Sequence, residues 1–576
     1  MPGFFISNVL IELALTNFRD CHFIGDRIRH ARYTIQRSTL DKFMDDKLFY
    51  EDEDFIIITE GVFLNKKELC ADSSWPVTVR TMAANQEYRY FDRFRGNFSG
   101  AHYHKGKDEW VVYTDALGMK PVFYFAQNDL WMVSSDMRYI VDALRKLGIP
   151  FTFNPQAAYE MLTYGFMLTN KTFVNEIQKL PYGCFLTIRG GRVSLSRYFD
   201  FHYSEEETDP EELSDDEIIE RLDNLFTQAV SLEFEKDTEY GYDHLATLSG
   251  GLDSRMTVWT AFDCGEKNVV NLTFGESDCM DEQIAKKVAC RLGNELIIKT
   301  LDDGGMLKAY EPVVKMNLGL SLYSGISHTY TTLKQINFEG YGLLHTGDVG
   351  DAIVGSFAGA NEGPHPGAYS LKLADKLTDD WDGVQNVEKF KMITRAFNGV
   401  GASKIVCENY VYCISPFLYR DFFEFCLQKI PKSKRDGHYI YKKWVLQKHP
   451  DAAKIPLQRY NNGLMTEGKL LQTLRKMKRI GAGKLLEWLL WKIGIKKEMS
   501  RRTVKSSMNP LDTWFAEKED IRKQMDAYFE SGVQALCAMP GVSEELIEDM
   551  SGLYHTGTVS EKTQVITVLA AIQELF

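Results

Sequence analysis

A glycine-rich loop between a predicted strand and a predicted helix constrains the fold of this chain most strongly. The apolar segment HLATL at 244–248 is followed by SGGLDS at 249–254 and then by a helix-like segment. A loop that joins a parallel strand to a helix directs backbone N–H groups toward an anion at the positive end of the helix. Glycines let the backbone approach a phosphate closely, and serine hydroxyls add donors. The residues predicted to contact the phosphate are Ser249, Gly250, Gly251 and Ser254.

Asp253 lies in the same loop, where its negative charge would repel a phosphate. A carboxylate beside phosphates is suited to a shared Mg²⁺, because that ion prefers hard oxygen ligands. We therefore predict Asp253 as a magnesium ligand. The alternative is a plain glycine turn in which Asp253 caps the following helix. The full S-G-G-x-D-S pattern after a strand favours the phosphate site.

Strands and helices alternate after this loop. The segments VVNLTF at 269–274 and ELIIKTL at 295–301 are typical of strands, and residues 281–292 are typical of a helix. Alternation at this spacing predicts a parallel sheet with right-handed crossovers. Beyond residue 360 the sequence is mostly helical in pattern, and it ends in an amphipathic stretch at 561–576.

The first 200 residues have a different, β-rich character. Aromatic and β-branched segments such as WVVYTD at 110–115 and PVFYFA at 121–126 alternate with polar turns. Residues 205–217 then contain nine acidic residues among thirteen and no basic one, which suits a linker. Ser214 and Glu217 have the spacing of a capping box, so we expect a helix to begin there.

Composition argues against several classes of protein. With 44% hydrophobic and 26% charged residues, the 576-residue chain is typical of a soluble globular protein of several domains. A net charge of −13 argues against nucleic acid as the main partner, because phosphate backbones require a basic face. The ten cysteines include no C-x-x-C pair and predict neither a cysteine zinc site nor a redox dithiol. No membrane-spanning run or secretory signal is evident, so we expect a cytoplasmic location.

The loop SGGLDS resembles the pyrophosphate-binding loop of the asparagine synthetase family, which includes β-lactam synthetases and lasso-peptide cyclases. It differs from a Walker A motif because no lysine follows the glycines. A second loop, TGDVGD at 346–351 with Gly355 beyond it, is similar to the family's S-G-E-G-x-D-E-x-x-G. It also follows an apolar strand, YGLLH at 341–345. The resemblance implies that ATP is cleaved to AMP and pyrophosphate at the carboxyl edge of a parallel sheet.

The resemblance also implies roles for individual residues. Asp351 would be the second carboxylate on Mg²⁺, beside Asp253. Asp348 stands where the synthetases carry Glu and is a candidate to orient or deprotonate the nitrogen nucleophile. The residues implied to contact the nucleotide, the first two through their main chain beside the adenine, are Leu248, Phe274, Thr346 and Gly347.

A lysine completes the implied site. The segment KWVLQ at 443–447 resembles the family's K-x-x-L-R, and PFLY at 416–419 resembles the P-F-L-D that precedes it. Lys443 would stabilise the negative charge that develops on the α-phosphate. Each segment departs from the family pattern at one position, and Lys442 allows a register shifted by one residue. A surface lysine is the alternative.

Parts of the first domain are similar to the amidotransferase domain of glutamine-dependent synthetases. The matching segments are DALGMKP at 115–121 and KLPYG at 179–183. Such domains use an N-terminal cysteine as nucleophile, whereas Pro2 occupies position 2 here. In addition, EGV at 60–62 replaces the glutamine-holding N-G-E, and Arg95 replaces the Asp of a later D-G motif. We therefore expect a degenerate domain without glutaminase activity.

The resemblance implies an N-terminal αββα sandwich of the Ntn type, followed by a parallel-sheet ATP-pyrophosphatase domain (adenine nucleotide α-hydrolase-like) with a helical C-terminal part. The expected boundaries are 1–204 for the amidotransferase-like domain, 205–217 for the linker and 218–576 for the synthetase domain.

The predicted function is that of an asparagine synthetase-like ligase that uses ATP and Mg²⁺ to adenylate a carboxylate and then forms an amide with ammonia or a substrate amine. The alternatives are a lactam or lasso-type macrolactam cyclase, a sugar-acid amidating enzyme of polysaccharide synthesis, and a catalytically silent ATP-binding scaffold. The sequence leaves open the two substrates and whether the chain forms a homodimer. A basic stretch at 469–505 predicts either contact with a membrane surface or acidic partner, or helices whose lysines face water.

Overall fold

The computed structural model describes residues 2–14, 23–85, 89–206, 213–357, 363–378, 386–457, 464, 507–537 and 539–576. Their strands form two antiparallel sheets in the first 200 residues and one parallel sheet later in the chain. The strands are β1 Gly3–Ser7, β2 Phe23–Arg29, β3 Thr34–Leu40, β4 Phe49–Glu51, β5 Phe55–Gly61, β6 Phe98–His104, β7 Glu109–Thr114, β8 Phe123–Gln127, β9 Leu130–Ser134, β10 Ile177–Lys179, β11 Cys184–Arg189, β12 Arg192–Arg197, β13 Asp243–Thr247, β14 Val270–Gly275, β15 Glu295–Thr300, β16 Tyr341–His345 and β17 Tyr412–Ile414.

The two antiparallel sheets pack against each other through an apolar layer. Their strand orders are β10-β8-β9-β1-β3-β2 and β12-β11-β7-β6-β5-β4. Ile6 and Val133 from the first sheet belong to the same buried cluster as Ile56 and Val112 from the second. Since side chains alternate between the two faces of a strand, the other apolar residues of these strands face outward and need a further cover.

Helices provide that cover on both outer faces. Trp75 of helix α2 (Trp75–Asn85) shares a buried cluster with Ile57 of the second sheet. Ile140 of helix α3 (Met137–Leu147) shares one with Phe5 of the first sheet. The four-layer αββα arrangement expected for this part is therefore confirmed. The helices are α1 Lys66–Cys70, α2 Trp75–Asn85, α3 Met137–Leu147, α4 Pro155–Tyr164, α5 Asp215–Glu239, α6 Asp253–Asp263, α7 Met280–Leu292, α8 Tyr310–Asn317, α9 Ser327–Leu333, α10 Val387–Lys391, α11 Gly401–Cys407, α12 Arg420–Gln428, α13 Lys432–Arg435, α14 Tyr439–Lys448, α15 Pro450–Lys454, α16 Leu511–Glu517, α17 Glu519–Leu536, α18 Glu544–Thr556 and α19 Val559–Leu575.

The third sheet is parallel, as the alternation of strands and helices predicts. Its order is β15-β14-β13-β16-β17, and every neighbouring pair runs in the same direction. The central strand β13 leads into α6, and α7 connects β14 to β15. The segments predicted as strands at 244–248, 269–274, 295–301 and 341–345 therefore all lie in this sheet. The carboxyl ends of its central strands carry both predicted loops.

Helix α5 begins where the capping pattern predicts. The hydroxyl of Ser214 accepts a hydrogen bond from the Glu217 N–H at 3.3 Å, and the Glu217 carboxylate accepts one from the Ser214 N–H at 2.9 Å. This reciprocal box satisfies two of the N–H groups that a helix leaves unpaired at its start. The long helix that follows packs along β13 and β16.

The final helix, α19, differs from its predicted amphipathic character. Thirteen of its seventeen residues are buried, including the polar Gln564 and Thr567. Helices α4, α8, α17 and α18 surround it, so it has almost no face for water. Both of these polar side chains make internal hydrogen bonds: the Gln564 amide donates to the Met161 carbonyl at 3.0 Å, and the Thr567 hydroxyl donates to the Thr563 carbonyl at 2.7 Å.

Two predicted segments fall wholly or partly outside the residues that the structure describes. These are the basic stretch at 469–505 and residues 207–212 of the acidic run. Among the described helices, none combines the length and apolarity that a membrane crossing requires.

Candidate functional site

A cavity of about 340 Å³ lies at the carboxyl edge of the parallel sheet. It opens where β13, β14 and β16 end, which is where ligands of such sheets bind. Nine of the twelve predicted site residues line it: Leu248, Ser249, Gly251, Asp253, Ser254, Phe274, Thr346, Gly347 and Asp348. The other three, Gly250, Asp351 and Lys443, are not part of the lining. The fold thus brings together residues that are a hundred positions apart in the chain.

The first loop is closed by its own side chains. The Ser249 N–H donates to the Ser254 hydroxyl at 3.0 Å, and the Gly251 N–H donates to the Ser249 hydroxyl at 3.2 Å. The Gly250 N–H donates to the Asp281 carboxylate of α7 at 2.9 Å. A Cβ at Gly250 would lie 3.0 Å from the Asp281 main chain, which is a tight contact, so glycine allows α7 to approach this loop closely.

The second loop packs directly against the first. A Cβ at Gly347 would lie only 2.3 Å from the Ser254 nitrogen. Thr257 donates its hydroxyl hydrogen bond to the Thr346 carbonyl at 3.2 Å, and the Asp351 N–H donates to Oδ2 of Asp253 at 3.0 Å. Since glycine is the only residue that permits the first of these approaches, the pairing of the two loops depends on Gly347.

The backbone of the second loop is strained at Val349, whose φ is 67°. A β-branched residue rarely adopts this left-handed conformation, because its side chain collides with the backbone. Non-glycine residues in this region occur preferentially at ligand-binding and catalytic sites, where surrounding contacts enforce them. The strain at Val349, between Asp348 and Asp351, is therefore consistent with a ligand-binding or catalytic loop.

The carboxyl group of Asp253 has a raised pKa. Burial raises its pKa to about 7, and the charges of Asp351 and Asp348 act in the same direction, against the hydrogen bond from Tyr441. The Tyr441 hydroxyl donates to Oδ1 of Asp253 at 2.7 Å. A desolvated carboxylate beside other carboxylates is stabilised by a cation. The residues present therefore fit a divalent ion held by Asp253 and Asp351.

Lys404 is a cavity residue that the sequence reasoning missed. It lies on α11, its side chain is 4% exposed, and its ammonium is 3.6 Å from Oδ2 of Asp348. Within the described part of the chain, this buried nitrogen has no hydrogen-bond partner. A buried ammonium without such partners is costly, so an anionic ligand in the cavity would stabilise it. The only signal in the sequence is one lysine inside the apolar run GASKIVC.

The side chain of Asp348 is held beside this lysine. Oδ2 accepts a hydrogen bond from the Thr346 hydroxyl at 2.9 Å, and the Asp348 carbonyl accepts one from Ser415 at 2.9 Å. The side chain is 41% exposed and faces the cavity. His328 lies on the same wall and packs against Phe274 with ring centroids 4.9 Å apart. Burial lowers the pKa of His328 to about 4, so its ring is neutral at neutral pH.

Lys443 lies apart from the cavity. Its ammonium pairs with Oδ2 of Asp215 at 2.6 Å on the surface formed by α14 and the start of α5, and the side chain is 39% exposed. Its neighbour Lys442 is also turned outward and donates to the Gly437 carbonyl at 2.7 Å. A register shift by one residue therefore does not bring a lysine of α14 to the cavity. The side chain of this helix that contacts the predicted loop is that of Tyr441.

The comparisons with known proteins bear mainly on the first domain. A glutamine amidotransferase domain model matches residues 46–199, the part that contains β4 to β12. No curated protein matches the chain. The chain is similar to a solved structure described as the allosteric regulatory enzyme of purine biosynthesis, with 9% identity over 47% of this chain and 66% of that one, at a TM-score of 0.22.

A second similar structure is the glutamine phosphoribosylpyrophosphate amidotransferase from B. subtilis in complex with ADP and GMP. It has 10% identity over 53% of this chain and 86% of that one, at a TM-score of 0.23. The chain contains a glutamine amidotransferase-type domain at residues 46–199, and such a domain points to an enzyme of amide or amino transfer.

Proposed function

We propose that this protein is an AMP-forming, ATP-dependent amide ligase of the asparagine synthetase type. The observation that carries the proposal is the meeting of two glycine loops at one cavity, where the main-chain N–H of Asp351 donates to Oδ2 of Asp253 at 3.0 Å. The backbone of the first loop is suited to phosphate, and the carboxylates of Asp253 and Asp351 are suited to Mg²⁺. The buried ammonium of Lys404 is suited to an anionic substrate. The amidotransferase-type domain supports amide chemistry for the whole chain.

The reaction would proceed in two steps. A carboxylate oxygen of the substrate attacks the α-phosphorus of ATP, and the bond to pyrophosphate breaks. An amine or ammonia nitrogen then attacks the acyl carbon, and AMP leaves with the bonding electron pair. The loop at 249–254 binds the pyrophosphate end, and Asp253 and Asp351 would hold Mg²⁺. When bound, that ion would offset the charge of the phosphates.

Asp348 and Lys404 are the chain's candidates for the remaining charges. Lys404 would bind the substrate carboxylate or the α-phosphate, because its ammonium lines the cavity and its hydrogen-bonding capacity is unused within the described residues. Asp348 would orient the incoming amine and accept the proton that the nitrogen loses. This proposal gives Lys404 the role that the sequence motif implies for Lys443, which pairs with Asp215 instead.

The nitrogen would come from ammonia or from a substrate amine rather than from glutamine. At the position of the glutamine-holding motif, Glu60 is buried and accepts a hydrogen bond from Tyr412 of the parallel sheet at 2.6 Å. Arg95, which replaces an Asp of the amidotransferase pattern, pairs with Asp421 at 2.9 Å. Both side chains thus bind residues beyond the first domain, which supports a structural role for these two positions.

The test is pyrophosphate release from ATP and Mg²⁺, screened against a panel of carboxylic acids and amines. We expect release that requires both an acid and ATP, and loss of at least about 100-fold in Asp253→Asn, because a carboxylate at the phosphates is removed. Asp243→Asn is the matched control: Asp243 begins the strand β13 that leads into the loop, but it lies at the opposite end of the sheet. Full activity in Asp253→Asn would contradict the proposal.

One observation favours a second candidate, a catalytically silent nucleotide-binding protein. Lys443, the lysine of the family motif, is bound to a surface carboxylate and not to the cavity. Under this alternative, ATP binds with Mg²⁺ but no acid and amine pair releases pyrophosphate. Measurement of ATP affinity alongside the release assay separates the two candidates.

A further inference from the structure

A cluster of buried histidine and carboxylate side chains lies beneath the parallel sheet, apart from the cavity. We propose that Asp237, His244 and His345 bind a Zn²⁺ ion there. His244 Nδ1 and His345 Nε2 converge on the same oxygen, Oδ2 of Asp237, at 3.1 and 2.8 Å. One ligand atom of each of the three residues lies within 4.8 Å of the others. Histidine nitrogens and carboxylate oxygens are common zinc ligands.

The outer nitrogen of each histidine also faces a carboxylate. His244 Nε2 lies 3.3 Å from Oε2 of Glu266, and His345 Nδ1 lies 3.4 Å from Oε2 of Glu233. Metal-binding histidines usually have such a partner, which fixes the ring orientation and makes the inner nitrogen a better ligand. Both rings of this cluster have this arrangement, so it resembles two carboxylate–histidine–metal triads that share one metal position.

Burial and charge favour a bound cation. The side chains of Asp237, Glu233 and His345 are 0% exposed. Oε1 of Glu233 is buried and has no hydrogen-bond partner among the described residues. Buried carboxylates need nearby positive charge, and a divalent ion supplies more of it than one protonated ring. Since imidazole nitrogen is a better ligand for zinc than for magnesium, the composition of the cluster favours Zn²⁺ over Mg²⁺.

The location suggests what the ion would do. Asp237 is on α5, His244 is in β13, and His345 ends β16 directly before Thr346 of the cavity loop. A metal at this point would tie the long helix to the two strands that carry both loops. We therefore assign the site a structural role in fixing the sheet edge, which does not depend on the proposed ligase activity.

The experiment uses the full chain after removal of metals with a chelator. Zn²⁺ is titrated against a competing chromophoric chelator, and Co²⁺ loading is followed by its visible spectrum. We expect His244→Gln and Asp237→Asn each to bind one equivalent fewer than the wild type. Glu266→Gln should keep the equivalent but bind it about 10- to 100-fold more weakly, as loss of an outer carboxylate partner does.

A matched control is His449→Gln, which should bind Zn²⁺ as the wild type does. His449 also lies between two carboxylates, Asp223 at 3.2 Å and Asp263 at 3.0 Å, but no second imidazole joins it in a three-residue cluster of the described chain. His244 is the cluster member with some exposure, at 11% of its side chain, so its variant should still fold. Wild-type protein without a stoichiometric site, or a His244→Gln variant with unchanged stoichiometry, would overturn the assignment in favour of a metal-free ion-pair network.

Discussion

Tyr441 donates its hydroxyl hydrogen bond to Oδ1 of Asp253 at 2.7 Å. Helix α14 therefore contacts the predicted phosphate loop through Tyr441 and not through Lys443, two residues later. The contact holds a carboxylate that stands beside Asp351 and is predicted to bind a cation.

Tyr441→Phe should raise the Mg²⁺ concentration needed for half-maximal pyrophosphate release by about 10-fold. The hydroxyl orients the Asp253 carboxylate, and loss of a hydrogen bond to a charged group costs about 1.5 kcal/mol. Tyr439→Phe is the control, since Tyr439 is on the same helix but donates to Asp215 at 2.7 Å on the exposed side. Equal Mg²⁺ dependence in the two variants would contradict the role of Tyr441.

Lys404→Met should lower kcat/KM for pyrophosphate release by about 100-fold, because it removes the buried ammonium from the cavity wall. Lys443→Met should change the same quantity by less than about 3-fold, because Lys443 pairs with Asp215 outside the cavity. The two variants are compared at saturating ATP over a range of acid concentrations. The reverse order of effects would return the catalytic role to Lys443.

Gly347→Ala should weaken ATP binding by at least about 10-fold. The new methyl group would lie 2.3 Å from the Ser254 nitrogen, so the two loops must separate. Gly340→Ala is the control: Gly340 precedes β16 whereas Gly347 follows it, and the nearest atom to its added methyl is 3.7 Å away. Calorimetric titration with ATP measures both variants, and an unchanged affinity in Gly347→Ala would rule out a close pairing of the loops in solution.

The first domain should lose stability in acid through His102. Burial lowers the pKa of His102 to about 3 from an ordinary value of 6.5. In the unfolded chain His102 therefore binds a proton below about pH 6.5, whereas in the folded domain it binds one only below about pH 3. Over that range this residue should reduce the free energy of unfolding by up to about 1.4 kcal/mol per pH unit.

Urea unfolding at several pH values between about 7 and 4 checks this prediction. His102→Gln should show a shallower decrease than the wild type, because the substituted side chain does not titrate. Parallel curves for the two proteins would mean that His102 is not the source of the acid sensitivity.

Much of the fold could be predicted because its signals are local. The strands of the parallel sheet are short apolar runs, and Ser214 with Glu217 marks the start of α5. Gly293, with a φ of 73°, caps the end of α7. Strand β17 and the burial of α19 could not be predicted in this way. The first has three residues, and the second is surrounded by helices that are distant in sequence.

The candidate site likewise has features that local sequence signals predict and features that depend on tertiary contacts. The sequence alone determined that two glycine loops with Asp253 and Asp351 follow apolar strands that alternate with helices, because loop chemistry and this alternation are local patterns. Alternation predicts parallel strands, and the carboxyl ends of parallel strands lie at one sheet edge. The tertiary structure alone decided which lysine side chain faces the cavity. Successive side chains of a helix are rotated by about 100° around its axis. The Lys443 side chain is therefore about 200° around the helix from that of Tyr441, which places it on nearly the opposite side. The packing of α11 against the cavity then brings in Lys404, and the crossing of α5 under β13 and β16 brings Asp237, His244 and His345 together.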